Sequence, residues 1–227
     1  MNTLTEETDP FAITTATAVE LLRGASWRRM VTLGDSVAEG IREAAPGFAD
    51  LSWSDRIEAA LREIQPEFTA INIGKRDLTT AEVRAAQLDA ALDFEPDLAF
   101  VTCGGNDILR PGFDPARVRE HLTAMVAALR ERGADVVTFG LLDLTQAELV
   151  PAKYARSVSA ATRALAELTE DVSHTHGGIF VQFLDHPLTA DPSIYSSDRL
   201  HFNSRGHAFS AALNIRALAR HLAEAPR

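Results

Sequence analysis

The sequence predicts an α/β protein built as a three-layer α/β/α sandwich, with five parallel strands in one sheet and helices on both faces. Short apolar stretches of strand length alternate with helical patterns along the whole chain. One stretch, DLAFVTC at residues 97–103, is almost entirely apolar, as is typical of a parallel strand covered on both faces. The chain has 227 residues, a length that suits one domain of this class.

In the first half of the chain, apolar side chains that recur every three or four residues indicate helices, and alternating apolar side chains indicate strands. The predicted helices cover residues 15–23, 52–64 and 80–92, with Thr80 as the N-cap of the last, and the predicted strands cover residues 29–33 and 68–73. Pro66 ends the helix over residues 52–64.

The second half begins with the apolar strand over residues 97–103. Asp114 and Pro115 are typical of a helix start, and Gly133 is typical of its end. Further strands are predicted over residues 135–139 and 178–183, and further helices over residues 151–175 and 204–221, with Ser204 as the cap of the last. No repeat or Pro/Gly-rich linker interrupts this pattern. We therefore expect a single domain over residues 29–227, preceded by an extension, residues 1–28, whose short helix packs on the domain.

Composition excludes several classes of function. The net charge of −10 repels phosphate backbones, so nucleic acid is not an expected partner. The apolar stretches are far shorter than the ~20 residues of a membrane-spanning helix.

The single cysteine, Cys103, excludes an internal disulfide. The pair His174 and His176 lacks further ligands at metal-binding spacing, so no cofactor or metal is predicted. The acidic N-terminus lacks the pattern of a signal peptide, which predicts a cytoplasmic location.

Ligands of parallel sheets bind beyond the carboxyl ends of the strands, which directs attention to residues 34–40, 74–79, 104–112 and 185–203. The first of these turns reads GDSVAEG. Ser36 would lie where strand becomes helix, with unused backbone N–H groups that can receive an oxyanion. Asp35 would cap that helix or hold the loop. An ordinary Ser/Asp turn is the alternative interpretation of these residues taken alone.

Two other turns carry matching chemistry. Asp198 and His201 are three residues apart, so the carboxylate can meet one imidazole nitrogen while the other nitrogen faces a serine. His207 is interpreted as structural. In the turn Cys103-Gly104-Gly105-Asn106-Asp107, the glycines allow a ligand to approach the backbone closely, and Asn106 can donate an N–H to an oxyanion. Asp107 would instead brace the loop, as the N-cap of the residues that follow.

Together, GDS at residues 34–36, GGND at residues 104–107 and the Asp198–His201 pair resemble the SGNH hydrolase family, also called GDSL-type esterases and lipases. The resemblance extends from about residue 29 to residue 221. It implies a flavodoxin-like sandwich with Ser36 as nucleophile, His201 as base and Asp198 as its orienting acid. It also implies an oxyanion hole formed by the Ser36 N–H, a glycine N–H and Asn106. Asp35 and Gly105 are expected to lie at the substrate.

The sequence departs from the family pattern at the second block, where an Asn is usually followed five residues later by the oxyanion-hole glycine. Here Asn72 is followed at that distance by Asp77, and Gly74 lies only two residues after Asn72. Either Gly74 or the backbone N–H of Asp77 would complete the hole. The Asp77 carboxylate must then turn away from the oxyanion or pair with Lys75 or Arg76.

These residues predict a serine esterase or acylhydrolase that cleaves a small-molecule acyl ester through an acyl-Ser36 intermediate. Two alternatives remain open at this stage. One is an acyltransferase that uses the same acyl-enzyme, and the other is a non-catalytic ligand-binding homologue, suggested by Asp77.

Overall fold

The computed structural model describes residues 4–224, which form two compact units. The helical unit comprises Met1–Arg28, Gly40–Thr69 and Ser193–Arg227, and the sheet unit comprises Arg29–Glu39 and Ala70–Pro192. Residues 1–3 and 225–227, which the predicted domain bounds include, lie outside the described residues. The prediction of one domain over residues 29–227 stays a prediction.

The sheet has five strands in the order β2-β1-β3-β4-β5. Their bounds are β1 Arg29–Gly34, β2 Thr69–Asn72, β3 Leu98–Thr102, β4 Asp135–Gly140 and β5 Ile179–Gln182. The parallel register pairs Leu33 with Val101 and Val101 with Thr138. The predicted α/β fold with a five-stranded parallel sheet flanked by helices is confirmed, and each predicted strand is present. The crossover order places β1 and β3 side by side, so their carboxyl ends meet at one edge.

The predicted helices are also present among residues 4–224. Their bounds are α1 Thr15–Leu21, α2 Ser36–Glu39, α3 Trp53–Ile64, α4 Thr80–Asp93, α5 Gly105–Leu109, α6 Pro115–Glu131, α7 Ala152–Thr175 and α8 Ser204–Glu224. The short helix α2 begins at Ser36, where the sequence predicted the change from strand to helix. The bounds of the short helix α5 were not predicted, because one turn is too short to show a periodic pattern. Across residues 4–224, none of these helices combines the length and the apolar character that a membrane crossing requires.

Two predicted helix caps are wrong by one residue. Thr79, not Thr80, caps α4 by accepting a bond from the Glu82 N–H, whereas the Thr80 hydroxyl donates to Asp107 at 2.9 Å. Asn203, not Ser204, caps α8, because its carboxamide oxygen accepts from the backbone N–H of Arg205 at 3.0 Å. In both cases two neighbouring polar residues suit the cap, and tertiary partners decide which one takes it.

A large hydrophobic cluster of the sheet unit joins strands β1, β3 and β4 to helices α4, α6 and α7. The central strand β3 is buried along its whole length, as the apolar pattern predicted. Each large side chain buried here contributes roughly 1.5–3 kcal/mol, so the cluster holds the strand ends firmly. Its largest members come from β1, β3, α6 and α7 and include Val31, Leu33, Val101, Leu122, Met125, Val126, Leu129, Leu165, Leu168 and Val172.

In the helical unit, α3 packs against α1 and α8. Trp53, Ile57 and Leu61 are fully buried on α3. The buried His207 joins two segments of this unit: its Nδ1 accepts from the Trp53 N–H at 3.1 Å, and its Nε2 donates to the Ile41 carbonyl at 3.1 Å. Burial lowers the pKa of His207 to about 4, so the ring stays neutral. The structural interpretation of His207 is thereby confirmed.

Candidate active site

The turn that follows β1 is held by contacts from distant segments, among them helix α4 and the end of β3. Gly34 has φ +146°, and a side chain there would lie 1.8 Å from the Thr102 carbonyl oxygen, so only glycine permits this approach of β1 to β3. The Gln87 carboxamide accepts from the Gly34 N–H at 2.7 Å and donates to its carbonyl at 2.9 Å. The Asp35 N–H donates to Thr102 at 3.1 Å. These bonds position Ser36 as the first residue of α2.

Ser36 is half-buried at this edge of the sheet. Within the described residues of the sheet unit, its hydroxyl and its backbone N–H have no hydrogen-bond partner. A serine with a free hydroxyl and a free N–H offers both a nucleophile and an oxyanion donor at the same residue. The name nucleophile turn is used below for residues 34–39.

The Asp35 side chain lies beneath this turn and is buried. Its Oδ1 accepts from the Val37 N–H at 3.0 Å, the bond of an N-cap residue, so of the two predicted roles the structure supports the cap of α2. Its Oδ2 has no hydrogen-bond partner among residues 4–224. Burial raises the pKa of Asp35 to about 7, against the lowering effect of the Val37 N–H, and the charge of Asp107 raises it further. Asp35 thus exchanges its proton near neutral pH, one residue before the serine.

The middle turn forms the short helix α5. Gly104 precedes it at φ +110°, and a side chain there would lie 2.8 Å from Leu165. Asn106 donates one amide hydrogen to the Leu78 carbonyl at 3.0 Å, which leaves its second amide hydrogen for another acceptor. Asp107 braces the loop by accepting from the Thr80 N–H at 2.8 Å, and the predicted role as N-cap of the residues that follow is wrong, because Asp107 lies inside α5.

The second block packs directly on the nucleophile turn. Asn72 donates to the Ala38 carbonyl at 2.7 Å and accepts from the Gly74 N–H at 2.9 Å. A side chain at Gly74 would lie 2.5 Å from the Glu39 nitrogen, so glycine is needed here for packing. The Gly74 N–H is already donated to Asn72. This favours Asp77 over Gly74 as the remaining backbone donor.

Asp77 has the left-handed φ of +67° that its short polar side chain tolerates. Its side chain is exposed, and its carbonyl accepts a bond from Arg110. Arg76 forms an ion pair with Glu39 at 3.3 Å rather than with Asp77. Within the described part of the sheet unit, the Asp77 N–H has no acceptor. The Asp77 carboxylate was expected either to turn away from the oxyanion or to pair with Lys75 or Arg76. Its exposure and the pairing of Arg76 with Glu39 favour the first option.

The predicted acid and base are in direct contact in the helical unit. Asp198 Oδ2 lies 2.7 Å from His201 Nδ1, and Asp198 Oδ1 accepts from the backbone N–H groups of Leu200 at 2.9 Å and His201 at 3.0 Å. Arg199, at φ +61°, turns the chain so that these bonds form. Partial burial raises the pKa of Asp198, but the hydrogen bonds from His201 and Leu200 outweigh it and hold the pKa below its ordinary value.

This contact assigns the tautomer of His201. An ionised carboxylate accepts only, so the proton lies on Nδ1 and the lone pair on Nε2. Nε2 is buried and has no hydrogen-bond partner among residues 4–224. A neutral imidazole oriented in this way is a general base. The name histidine loop is used below for residues 193–203, which contain the pair.

Supporting residues of the histidine loop were not predicted. The Glu43 carboxylate accepts from the Ser197 N–H at 2.9 Å and from its hydroxyl, and these bonds lower the pKa of Glu43. Ser196 donates its N–H to the His201 carbonyl at 2.8 Å and its hydroxyl to the Phe202 carbonyl at 2.7 Å. Glu43 lies 154 positions before Ser197, so no spacing signal connects them. Gln87, which braces Gly34, was not predicted either, because the two residues are 53 positions apart.

The predicted site residues therefore fall into two groups, each organised within its own unit. Asp198 and His201 belong to the helical unit. The sheet unit carries Ser36 with Asp35, Gly74, Asp77, Gly105 and Asn106. No group of three or more His, Cys, Asp or Glu side chains among residues 4–224 is arranged to hold a metal ion.

Comparison with known families accounts for this set of residues. The model of the GDSL-like lipase/acylhydrolase family matches residues 32–209 of the chain, which include Ser36, Asn106, Asp198 and His201. The chain belongs to this family. It is thus a hydrolase of the GDSL/SGNH esterase family.

Individual proteins that are similar to this GDSL-family hydrolase include an arylesterase and an acetylxylan esterase. An arylesterase from Vibrio mimicus is 28% identical over 200 residues, which cover 86% of this chain and 90% of that protein. Among solved structures, an acetylxylan esterase from Geobacillus stearothermophilus superposes with TM-score 0.68 at 14% identity, covering 84% of this chain and 94% of that one. An α/β hydrolase from the metagenome of Lake Arreo, Spain, gives TM-score 0.64 at 20% identity, covering 83% and 96% of the two chains. The structural likenesses show the shared fold.

Proposed function

We propose that this GDSL-family hydrolase is a serine esterase that cleaves acyl esters through an acyl-Ser36 intermediate. The observation that carries the proposal is the state of His201. Its Nδ1 is bound to Asp198 at 2.7 Å, while its Nε2 is buried without a partner among residues 4–224. Such an imidazole is oriented to take a proton, and the Ser36 hydroxyl has no hydrogen-bond partner in the described part of the sheet unit. The proposal requires Ser36 Oγ and His201 Nε2 to come within hydrogen-bond reach in the working enzyme.

In the proposed acylation step, Ser36 Oγ attacks the ester carbonyl and its proton passes to His201 Nε2. The resulting imidazolium is stabilised by the Asp198 carboxylate. When the carbonyl reforms, the bond to the alcohol oxygen breaks, and His201 gives the proton to the leaving alcohol. A water molecule then loses a proton to His201, attacks the acyl carbon and releases the carboxylic acid with Ser36 restored.

The oxyanion of each tetrahedral intermediate needs several donors. We assign the backbone N–H of Ser36, the second amide hydrogen of Asn106 and the backbone N–H of Asp77 to this role. The bond from the Gly74 N–H to Asn72 argues against Gly74 as a donor. Exposure of the Asp77 carboxylate lets water screen its charge, so it opposes the oxyanion only weakly.

The relatives suggest where to begin with substrates. A protein 28% identical to this chain is an arylesterase, and a structural neighbour is an acetylxylan esterase. We therefore propose short acyl groups on an aryl or sugar alcohol as the first substrates to test, with p-nitrophenyl acetate as the simplest probe.

The decisive experiment compares the wild type with Ser36→Ala and with Ser157→Ala, an exposed serine on α7 that serves as the matched control. We expect hydrolysis of p-nitrophenyl acetate to fall by at least about 10³-fold in Ser36→Ala. Ser157→Ala should match the wild type. A fluorophosphonate should label Ser36 alone, as located by peptide mass spectrometry. Full activity of Ser36→Ala, or an unlabelled Ser36, would overturn the proposal. Product analysis with added alcohol distinguishes hydrolysis from acyl transfer.

A further inference from the structure

A buried ion pair fixes the N-terminal segment of the helical unit. Asp9 is only 5% exposed, and its Oδ2 accepts from Arg205 Nε at 2.7 Å. Its Oδ1 accepts from the Phe11 N–H at 2.9 Å. Arg205 itself is 9% exposed. Such a pair is expensive to break, because removal of one partner leaves the other charge buried without compensation.

The other side of Arg205 contacts the histidine loop. The guanidinium donates through Nη1 to the Ser193 hydroxyl at the start of this loop. Asn203, at its end, donates to the carbonyls of Ser193 at 2.8 Å and Tyr195 at 3.0 Å and caps the helix that carries Arg205. The loop is thus closed upon itself at Ser193 and Asn203, and Arg205 ties that closure to Asp9. His201 lies within the closed segment.

From this connection we infer that Asp9 is a positioning residue for His201, acting through Arg205 and the closure of the histidine loop. The inference rests on the proposed function, because it assigns Asp9 to the placement of the proposed base. Asp9 lies outside residues 32–209, the part of the chain that the family model matches. The extension therefore contributes to the site a support that the matched core does not contain.

The physical basis is the planar fork of the guanidinium. Arg205 holds the Asp9 carboxylate through Nε and the Ser193 hydroxyl through Nη1, so the direction of one contact sets the direction of the other. Without the carboxylate, the guanidinium loses the acceptor that sets the direction of its fork, and the start of the histidine loop keeps the Asn203 bond but not a fixed contact with Arg205. A displacement of about 1 Å in a catalytic group is enough to slow a reaction about 10²-fold.

A second ion pair in the same segment offers a natural control. Glu6 pairs with the buried Arg56, and Arg56 in turn donates to the Ala49 carbonyl. These bonds anchor the N-terminal segment to residues 49 and 56, and none of them involves a residue of the histidine loop. Loss of the Glu6 charge therefore loosens the segment without altering the Asp9–Arg205–Ser193 connection. Glu7, an exposed neighbour, controls for loss of charge alone.

The experiment compares Asp9→Asn, Asp9→Glu, Glu6→Gln and Glu7→Gln in the full chain. In Asp9→Asn we expect kcat for p-nitrophenyl acetate to fall by about 10- to 100-fold while KM stays unchanged, because the base is misplaced rather than the pocket lost. Fluorophosphonate labelling of Ser36 should slow by the same factor. Asp9→Glu keeps the carboxylate and should recover most of the rate. Glu6→Gln and Glu7→Gln should keep the wild-type kcat, even where Glu6→Gln lowers the melting temperature.

A spectroscopic measurement makes the inference independent of turnover. The Nδ1 proton that His201 shares with Asp198 gives a low-field proton NMR signal, assigned by its absence in His201→Gln. We expect this signal to weaken or broaden in Asp9→Asn and to persist in Glu6→Gln. Should Asp9→Asn fail to fold, Ser193→Ala tests the same connection from its other end, with the same expected loss of signal and of kcat.

The outcomes separate this inference from the proposed function. If the wild type labels at Ser36 but Asp9→Asn matches Glu6→Gln in kcat and in the NMR signal, the positioning role is overturned alone. If the wild type does not label at Ser36, the proposed function fails. The change of the His201 signal in Asp9→Asn then still decides whether Asp9 orders the loop.

Discussion

The nucleophile turn and the histidine loop reach their order by opposite routes. The turn is held by side chains from far along the chain: Gln87 on Gly34 spans 53 positions, and Asn72 on Ala38 spans 34. In the histidine loop, the decisive contact between Asp198 and His201 spans only three. The nucleophile turn depends on the register of the sheet. The acid–base contact of the histidine loop depends on local backbone, although Glu43 and Arg205 also hold this loop.

The two regions also shift the pKa of their carboxyl groups in opposite directions. Burial raises the pKa of Asp35 to about 7, whereas hydrogen bonds from His201 and Leu200 keep the pKa of Asp198 low. Asp35 is a buried acid that holds a proton near neutrality, and Asp198 is an ionised acceptor for an imidazole. At mildly acidic pH, below the pKa of Asp35, the two motifs thus carry the same residue type in opposite protonation states, because burial governs Asp35 and hydrogen-bond donors govern Asp198.

Asp198→Asn has the largest expected effect among the variants that test this comparison of the nucleophile turn with the histidine loop. The amide presents an N–H as readily as an oxygen to His201 Nδ1, so the imidazole loses its enforced tautomer. We expect kcat to fall about 10⁴-fold. Because the Asp198 side chain is 45% exposed, the free energy of unfolding should change little. Steady-state kinetics and urea unfolding measure the two effects. Asp185→Asn, an exposed carboxylate paired with Arg163, is the control, and a loss of less than tenfold in Asp198→Asn would contradict the assigned role of Asp198.

Asp35→Asn tests the nucleophile turn through stability. The folded protein keeps the Asp35 proton up to about pH 7, whereas the unfolded chain loses it near pH 3.8. The folded state therefore binds more protons between these values, and the contribution of Asp35 to stability falls as pH rises through this interval. An asparagine preserves the acceptor for Val37 and does not titrate.

We expect the decline in unfolding free energy between pH 4 and 8 to shrink by as much as about 4 kcal/mol in Asp35→Asn relative to the wild type. Urea unfolding at a series of pH values measures it, with the exposed Asp89→Asn as control. Parallel pH profiles for wild type and Asp35→Asn would show that Asp35 is ionised in the folded protein throughout this range.

Asp77→Gly has the smallest expected effect and sharpens the account of the oxyanion donors. The backbone N–H is retained, and loss of an exposed charge should raise kcat by about fivefold or less. Glycine also accepts φ +67° without strain, which adds no more than about 1 kcal/mol of stability. Glu95→Gly, at φ +50°, should show the gain in stability without the gain in rate. A fall in kcat for Asp77→Gly would mean that the carboxylate itself assists the reaction.

Much of the fold was predictable because its signals are local. The apolar run of β3, the Asp114-Pro115 start of α6 and the three-residue spacing of Asp198 and His201 each depend on neighbours within one or two turns of chain. For the same reason the Asp198–His201 contact was found where the sequence predicted it. A contact at such short spacing can be predicted from the sequence, because a hydrogen bond between near neighbours needs only a local backbone conformation.

Only the tertiary structure decided which polar groups are occupied and which are free. It committed the Gly74 N–H to Asn72, gave the cap of α4 to Thr79 and buried Asp35 so that its proton is retained. It also joined Asp9 to Arg205 across 196 positions. Such contacts depend on sheet register and helix packing, and burial changes the free energy of a charge far more than its neighbours in sequence do. The sequence by itself determined the residues able to perform the chemistry, and the packing decided their protonation and partners.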